Sequence, residues 1–399
     1  MTLPIVLICD DDANRAANWK SQVDAMDGLS QLDVRVLATT EFAEAILALG
    51  RRREAARDGG SVSGDAADVL DKAAMLIVDY DLTIGAEDTL GQAQPETVKA
   101  ALRGQSGEQF AYLARCYSRT GFIVLVNQEY KRRTFDLTMQ RFAQSYADLN
   151  VQWQDIVLEG LWKGTGSGYR PSHWPRLVDV PMLHARRLAA TELSNRVLET
   201  LGIRGRDLAA LDARQLDPLA ADGDPSQVAF DQLVDGVDGG LDPKDQQPDP
   251  EIRRSIAASA ASRWLESIVL PAQNVLADAS HLAQRFPSLA GADDGSVWRQ
   301  LGRWDGGIPP GLETATRLAN EWASRPVWSL ADIRESVRAS EGPLVEPARQ
   351  AFCEDTSDFR DYGEAHEFQS DLPGPYDQRF VTRLDDVSYH PLRRLLTRP

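Results

Sequence analysis

Residues 5–12 read IVLICDDD, and this stretch decides the fold. The five apolar residues at 5–9 are too few for a helix, and Asp10, Asp11 and Asp12 follow at once. A short apolar run without alternation is the pattern of a strand buried on both faces, as in a parallel sheet. The acids then stand at the carboxyl end of the strand, where open α/β sheets place their sites. The pattern returns downstream. Residues 73–78 read AAMLIV and run into Asp79-Tyr80-Asp81.

Between and beyond these runs the chain alternates in character. Helical spacing is expected over 14–26, with Ala17, Val23 and Met26 among polar residues. It is also expected over 40–53, with Thr40 as N-cap and Phe42, Ala45, Ile46 and Leu49 on one face. Residues 34–38 and 121–127 read as strands, and 107–118 and 132–149 as helices. Residues 58–66 read as a loop, and 84–106 as an inserted loop with a short helix. Strands alternating with helices predict an α/β fold, a doubly wound parallel sheet with helices on both faces. Asp10, Asp11, Asp79 and Asn127 then all lie at strand carboxyl ends.

The chain has 399 residues, enough for two or three domains. The predicted division is an α/β domain over 1–150, a mixed helical extension over 151–214, an acidic flexible linker over 215–251 and a mainly helical output or interaction region over 252–399. Net charge is −17, and it is uneven: residues 215–251 hold ten acids against one base, Lys244. So acidic, Gly- and Pro-rich a stretch has too little apolar surface to offset its ordering entropy. Within it, 228–237 is the one short apolar turn. Helices are expected over 183–201, 252–286 and 312–323, with Trp298, Trp304, Trp322 and Trp328 packing the last unit. From residue 342 the chain reads as irregular with short strands, such as 379–384.

Composition excludes several classes. The three cysteines, Cys9, Cys116 and Cys353, lie far apart without a CxxC pair, which argues against a disulfide framework or structural zinc. No apolar run approaches a membrane span, and residues 1–4 lack signal-peptide character. A cytoplasmic protein without membrane contact is expected. The acid excess argues against nucleic-acid binding by the N-terminal domain, and less so for 252–399.

Three carboxylates converging at one sheet edge repel one another, and a hard cation such as magnesium (Mg2+) relieves this. Asp10 and Asp11 would hold the metal together with Asp79, and Asp79 would be the nucleophile toward a phosphoryl group. Asp12 is placed to cap the following helix in any reading.

These residues carry a family resemblance. Residues 5–12, residues 75–82 (MLIVDYDL) and the helix start Ser106-Gly107-Glu108-Gln109-Phe110 resemble the receiver domain of two-component response regulators over about residues 3–150. The resemblance implies a flavodoxin-like fold, Mg2+ at Asp10, Asp11 and Asp79, Asp79 as phosphoacceptor, and signal transduction with a histidine kinase among the partners. The sequence also departs from the pattern. Asn127 stands where receivers carry Ser or Thr. The region 149–153 (LNVQW) has no Lys, leaving Lys131 in the following loop as the nearest substitute. The loop after Asp79 is expanded and lacks the usual Pro-Gly. The expected protein is therefore an atypical receiver or a pseudo-receiver, not primarily an enzyme, whose output region meets a protein partner. A homodimer is compatible with this.

Two other classes compete. Residues 79–83 (DYDLT) are similar to motif I of haloacid-dehalogenase-like phosphatases, which would make Asp79 nucleophile and Asp81 general acid/base of a magnesium-dependent phosphatase. A non-catalytic scaffold subunit of a multiprotein complex is the third class.

Weaker signals read as structural. Residues 163–168 (KGTGSG) invert the order of a phosphate-binding loop. The five histidines show no metal-ligand spacing and read as surface or capping residues. Arg51-Arg52-Arg53 and Lys131-Arg132-Arg133 read as solvated helix faces. Cys353 lacks a nearby His base and reads as buried.

Overall fold

The computed structural model describes residues 3–82, 105–127, 145–163, 175–219, 223–236, 241, 246–286, 289, 296–303, 312, 322–323, 326–339, 350–353, 358–368, 379–382, 388–390 and 395–397. Lys131, Trp174, Trp304 and residues 132–144 of the expected helix over 132–149 lie outside the described residues. So do most of the inserted loop over 84–106 and of the expected helix over 312–323.

The two apolar runs are central strands. β1 (Ile5–Cys9) pairs in parallel with β2 (Asp33–Leu37) on one side and β3 (Ala73–Asp79) on the other. β4 (Phe122–Asn127) and β5 (Leu149–Gln152) complete a five-stranded parallel sheet of order β2-β1-β3-β4-β5. This is the doubly wound order of flavodoxin-like sheets. Strand side chains alternate in direction, so each strand feeds two cores. Leu7, Cys9, Leu76, Val78, Ile123 and Leu125 face α2 (Thr39–Arg57) and α3 (Gly107–Tyr117). Val6, Ile8, Met75, Ile77, Val124 and Val126 face α1 (Ala13–Asp24), joined by Trp162, Leu177 and Val180 from beyond β5.

Boundaries shift for local reasons. α2 begins one residue before Thr40, and its first turn is tied by the Glu41 carboxylate accepting from the Ala38 N–H at 3.2 Å. Residues 145–149, the end of the expected helix over 132–149, are not helical. There the Glu108 carboxylate takes the Ser145 hydroxyl at 3.0 Å and the Tyr146 N–H at 2.6 Å, and β5 starts at Leu149. The expected helix over 183–201 is α4 (Val180–Ala190) plus the single turn Val197–Thr200. The expected helix over 252–286 is also interrupted. α5 (Phe230–Gly236) precedes α6 (Pro250–Trp264), and after a π-turn at Leu265–Val269 the chain reverses at Gln273, whose φ is +49°. The chain then enters the short strand β6 (Leu276–Asp278).

The acidic stretch is not linker throughout. Phe230, Leu233 and Val234 of α5 are buried in the same core as Leu7 and Leu76. The charge is absorbed by partners. Arg253 bridges Asp231 at 2.7 Å and Asp235 at 3.0 Å, while Asp249 caps α6 and meets Arg119 at 3.1 Å. Small residues let α6 sit deep: Ser255, Ala257, Ala258, Ser259, Ala260, Ala261 and Ser262 are all buried, with Ile256 among them.

Beyond it, β6 pairs antiparallel with β7 (Val327–Ser329). α7 (Ala279–Arg285), α8 (Ser296–Arg303) and α9 (Leu330–Ala339) contribute to a separate core around Trp298 and Trp328. Trp322 is buried too, in the larger core. The final segment holds more sheet than expected. β8 (Gln350–Cys353), β9 (Asp358–Asp361), β10 (His366–Phe368) and β11 (Arg379–Val381) form a mixed sheet of order β10-β11-β8-β9. β12 (Ser388–His390) pairs with β13 (Leu395–Thr397).

Candidate functional site

Parallel register puts the ends of β1 and β3 side by side, with Cys9 opposite Val78. Asp10 and Asp11 therefore leave β1 where Asp79 ends β3. All three are buried, and one oxygen from each lies within 4.8 Å of the others. Among the described residues this is the single carboxylate, histidine or cysteine cluster with metal-ligating geometry.

α1 starts directly over these acids. Asp12 is its N-cap, as expected, accepting from the Asn14 N–H at 2.9 Å and the Arg15 N–H at 3.2 Å. On the other side, Ser106 and Gln109 form a reciprocal cap for α3. The Gly107 N–H donates to the Tyr80 carbonyl at 2.7 Å. A Cβ at Gly107 would stand 2.2 Å from the Asp79 carbonyl oxygen, so only glycine allows α3 to start this close to the site.

The sequence reading missed one residue here, Arg15. Its Nη2 lies 2.6 Å from Asp10 Oδ1, 3.0 Å from Asp11 Oδ1 and 2.5 Å from Asp79 Oδ2, while its Nε donates to Asp10 Oδ2 at 2.6 Å. Its guanidinium carbon sits 5.9 Å from the ring centroid of Trp19, one turn along α1. Asp11 and Arg15 are four residues apart, which is a legible pairing signal. An arginine in the first turn of a helix also opposes the helix dipole, so a local carboxylate partner was to be expected.

Electrostatics follow the crowding. Burial, reinforced by Asp10, pushes the Asp79 carboxyl up to about 8 against the opposing pull of Arg15. The Arg15 guanidinium is held firmly protonated by its carboxylate partners, above all Asp10. Asp79 Oδ1 is buried and has no hydrogen-bond partner.

The donor set suits a hard divalent cation, because three carboxylate oxygens converge. The point they share is the point Arg15 Nη2 occupies. An ion placed between these oxygens would have to displace the guanidinium.

The other expected site residues fall as follows. Asn127 ends β4 beside Gln152, one register position beyond the Val126 that pairs with Asp79. β5 ends in Gln152, so no lysine closes it. Asp81 is exposed, bridges in the backbone to Ser106 and lies outside the carboxylate cluster.

Several residues read as surface are interior. Arg52 is buried and holds Asp65 at 2.7 Å, Asp68 at 2.8 Å and Asp71 at 2.9 Å. The Nε2 of His184 is shut away from solvent without a partner, and burial pushes the imidazole down to about 4. Cys353 is buried as expected, and so are Cys9 and Cys116. No helix among the described residues is long and apolar enough to cross a membrane. Comparison of the chain with protein-family models, curated proteins and solved structures gave no match.

Proposed function

We propose that the chain is a receiver-like signalling protein whose strand-end acidic site governs how the docked helical region meets a protein partner. The observation that carries this reading is the convergence of Asp10, Asp11 and Asp79 at the carboxyl ends of the two central strands. A route from site to output supports it. Asp79 abuts the start of α3, and α3 packs against α6. At the far end of α3, Gln247 Nε2 donates to the Cys116 carbonyl at 2.6 Å, and Ser255 Oγ to the Thr120 carbonyl at 3.4 Å. A charge change at Asp79 would act on two contacts, the ion pair to α1 and the neighbouring first turn of α3.

A histidine kinase or another subunit of a complex is the partner class, and Asp79 is the candidate phosphoacceptor. Magnesium at the triad would neutralise charge on an incoming phosphoryl group. A phosphatase needs Asp81 in the site, and its position outside the cluster lends that reading no support.

The test is hydrogen exchange on the full chain, wild type against Asp79→Ala. Faster exchange in α3 and α6 is expected. Change confined to α1 and the sheet would refute control of the helical region. Intact mass after treatment with a phosphodonor and Mg2+ should show an adduct on wild type that Asp79→Ala lacks.

A further inference from the structure

We propose that Arg15 is the resident counter-cation of the acidic site, a tethered guanidinium that keeps divalent ions out until it swings away. This deepens the reading of the site as a regulatory centre and rests on it.

The geometry is that of an ion site filled by a side chain. Three carboxylate oxygens from three residues lie within 3.0 Å of the single nitrogen Nη2. That nitrogen carries two hydrogens, so one of the three acceptors is always short of a full hydrogen bond. A hydrogen-bonding group does not satisfy such a convergence, whereas a cation coordinates it in all directions. Asp79 Oδ1, buried and without a partner, is a second sign of incomplete compensation. One guanidinium against three carboxylates also leaves the site net negative when all ionise, and a divalent ion would compensate more of that charge.

The arginine is able to leave. Its side chain keeps 19% exposure while the three carboxylates have none. It therefore lies at the mouth of the site, with solvent behind it. The departure would cost the link from α1 to β3, because Arg15 joins the first turn of α1 to Asp79. Occupancy by guanidinium or by ion thus sets whether α1 is fastened to β3.

The experiment titrates Mn2+ alone into the full chain by calorimetry, with melting temperature and far-UV circular dichroism in parallel. It compares wild type, Arg15→Met, Arg15→Gln and Arg15→Met/Asp79→Asn. Removing the guanidinium should tighten Mn2+ binding at least about tenfold, a modest return for one unit of charge at contact distance. It should also make the melting temperature Mn2+-dependent, and the added Asp79→Asn should abolish the gain. Folded variants that bind Mn2+ no better than wild type would overturn the proposal. So would a gain that survives Asp79→Asn, or unfolding of both single variants that Mn2+ fails to rescue, because the proposal requires an ion to replace the guanidinium. None of these outcomes bears on exchange in α6, so the lock and the signalling route fail independently.

Discussion

Arg52 shows how much one buried cation organises in this molecule. It lies inside, under the loop before β3, and gathers Asp65, Asp68 and Asp71 around one guanidinium while donating to the Tyr117 carbonyl at 3.3 Å. Arg52→Ala would remove the cation that ties three part-exposed acids together and leave a gap where the buried guanidinium packs, and it should cost about 1–3 kcal/mol in denaturant unfolding. Arg51 is exposed, and its replacement by Ala should cost under about 0.5 kcal/mol. Asp79 sets a pH dependence of opposite sign to an ordinary ion-paired carboxylate. Its folded-state value of about 8 lies above the 3.8 of an ordinary aspartate in the unfolded chain. Between these values the folded state holds a proton that the unfolded state has released, so this residue makes stability fall as pH rises. In the presence of a chelator, denaturation of wild type from pH 5 to 8 should show that decline, and Asp79→Asn should show a flatter profile.

At the scale of elements, the start of α3 is the sensitive joint. Gly107 is fixed by contact with the Asp79 backbone, so Gly107→Ala forces the helix away from β3. A loss of about 2–3 kcal/mol is expected from this overpacking, read by chemical denaturation. Ser106→Ala removes only the cap, at about 1 kcal/mol. Hydrogen exchange separates the two: Ser106→Ala should fray the first turn of α3, whereas Gly107→Ala should also loosen the end of β3. α6 lies within the helix expected from 252, although it starts at Pro250, and its depth is not legible. Its middle mixes Ser255, Ser259 and Ser262 with alanines and has no wide apolar stripe, because burial by close approach selects small residues there.

At the scale of the whole molecule, a single apolar cluster runs from Leu7 and Leu76 of the sheet through Phe230 of α5 to Trp264 and Val327. The α/β region and α5–α6 should therefore melt together rather than as separate domains. Phe230→Ala, in the short apolar turn expected inside the linker, should cost about 3–5 kcal/mol. It should lower the same calorimetric transition that reports the sheet. A distinct low-temperature transition would show that the helical layer folds by itself.

The sequence by itself determined the parallel sheet, its strand ends and the three aspartates that meet there. Continuous apolar runs followed by acids are local signals, and alternation with helices constrains which edge they share. It also carried the cap Asp12, whose partners lie within three residues. Tertiary structure decided what those signals cannot express. Arg15 stood in plain view four residues from Asp11, but its contact with Asp79 spans 64 positions and depends on β1 and β3 being neighbours. The fate of residues 215–251 was likewise non-local. An Asp-rich, Gly-rich stretch averages to linker by composition, while Phe230, Leu233 and Val234 become core because α6 supplies both an apolar surface and the arginine that neutralises their acidic neighbours. Charge on this chain is compensated across distance in space, and composition counts only distance along the chain.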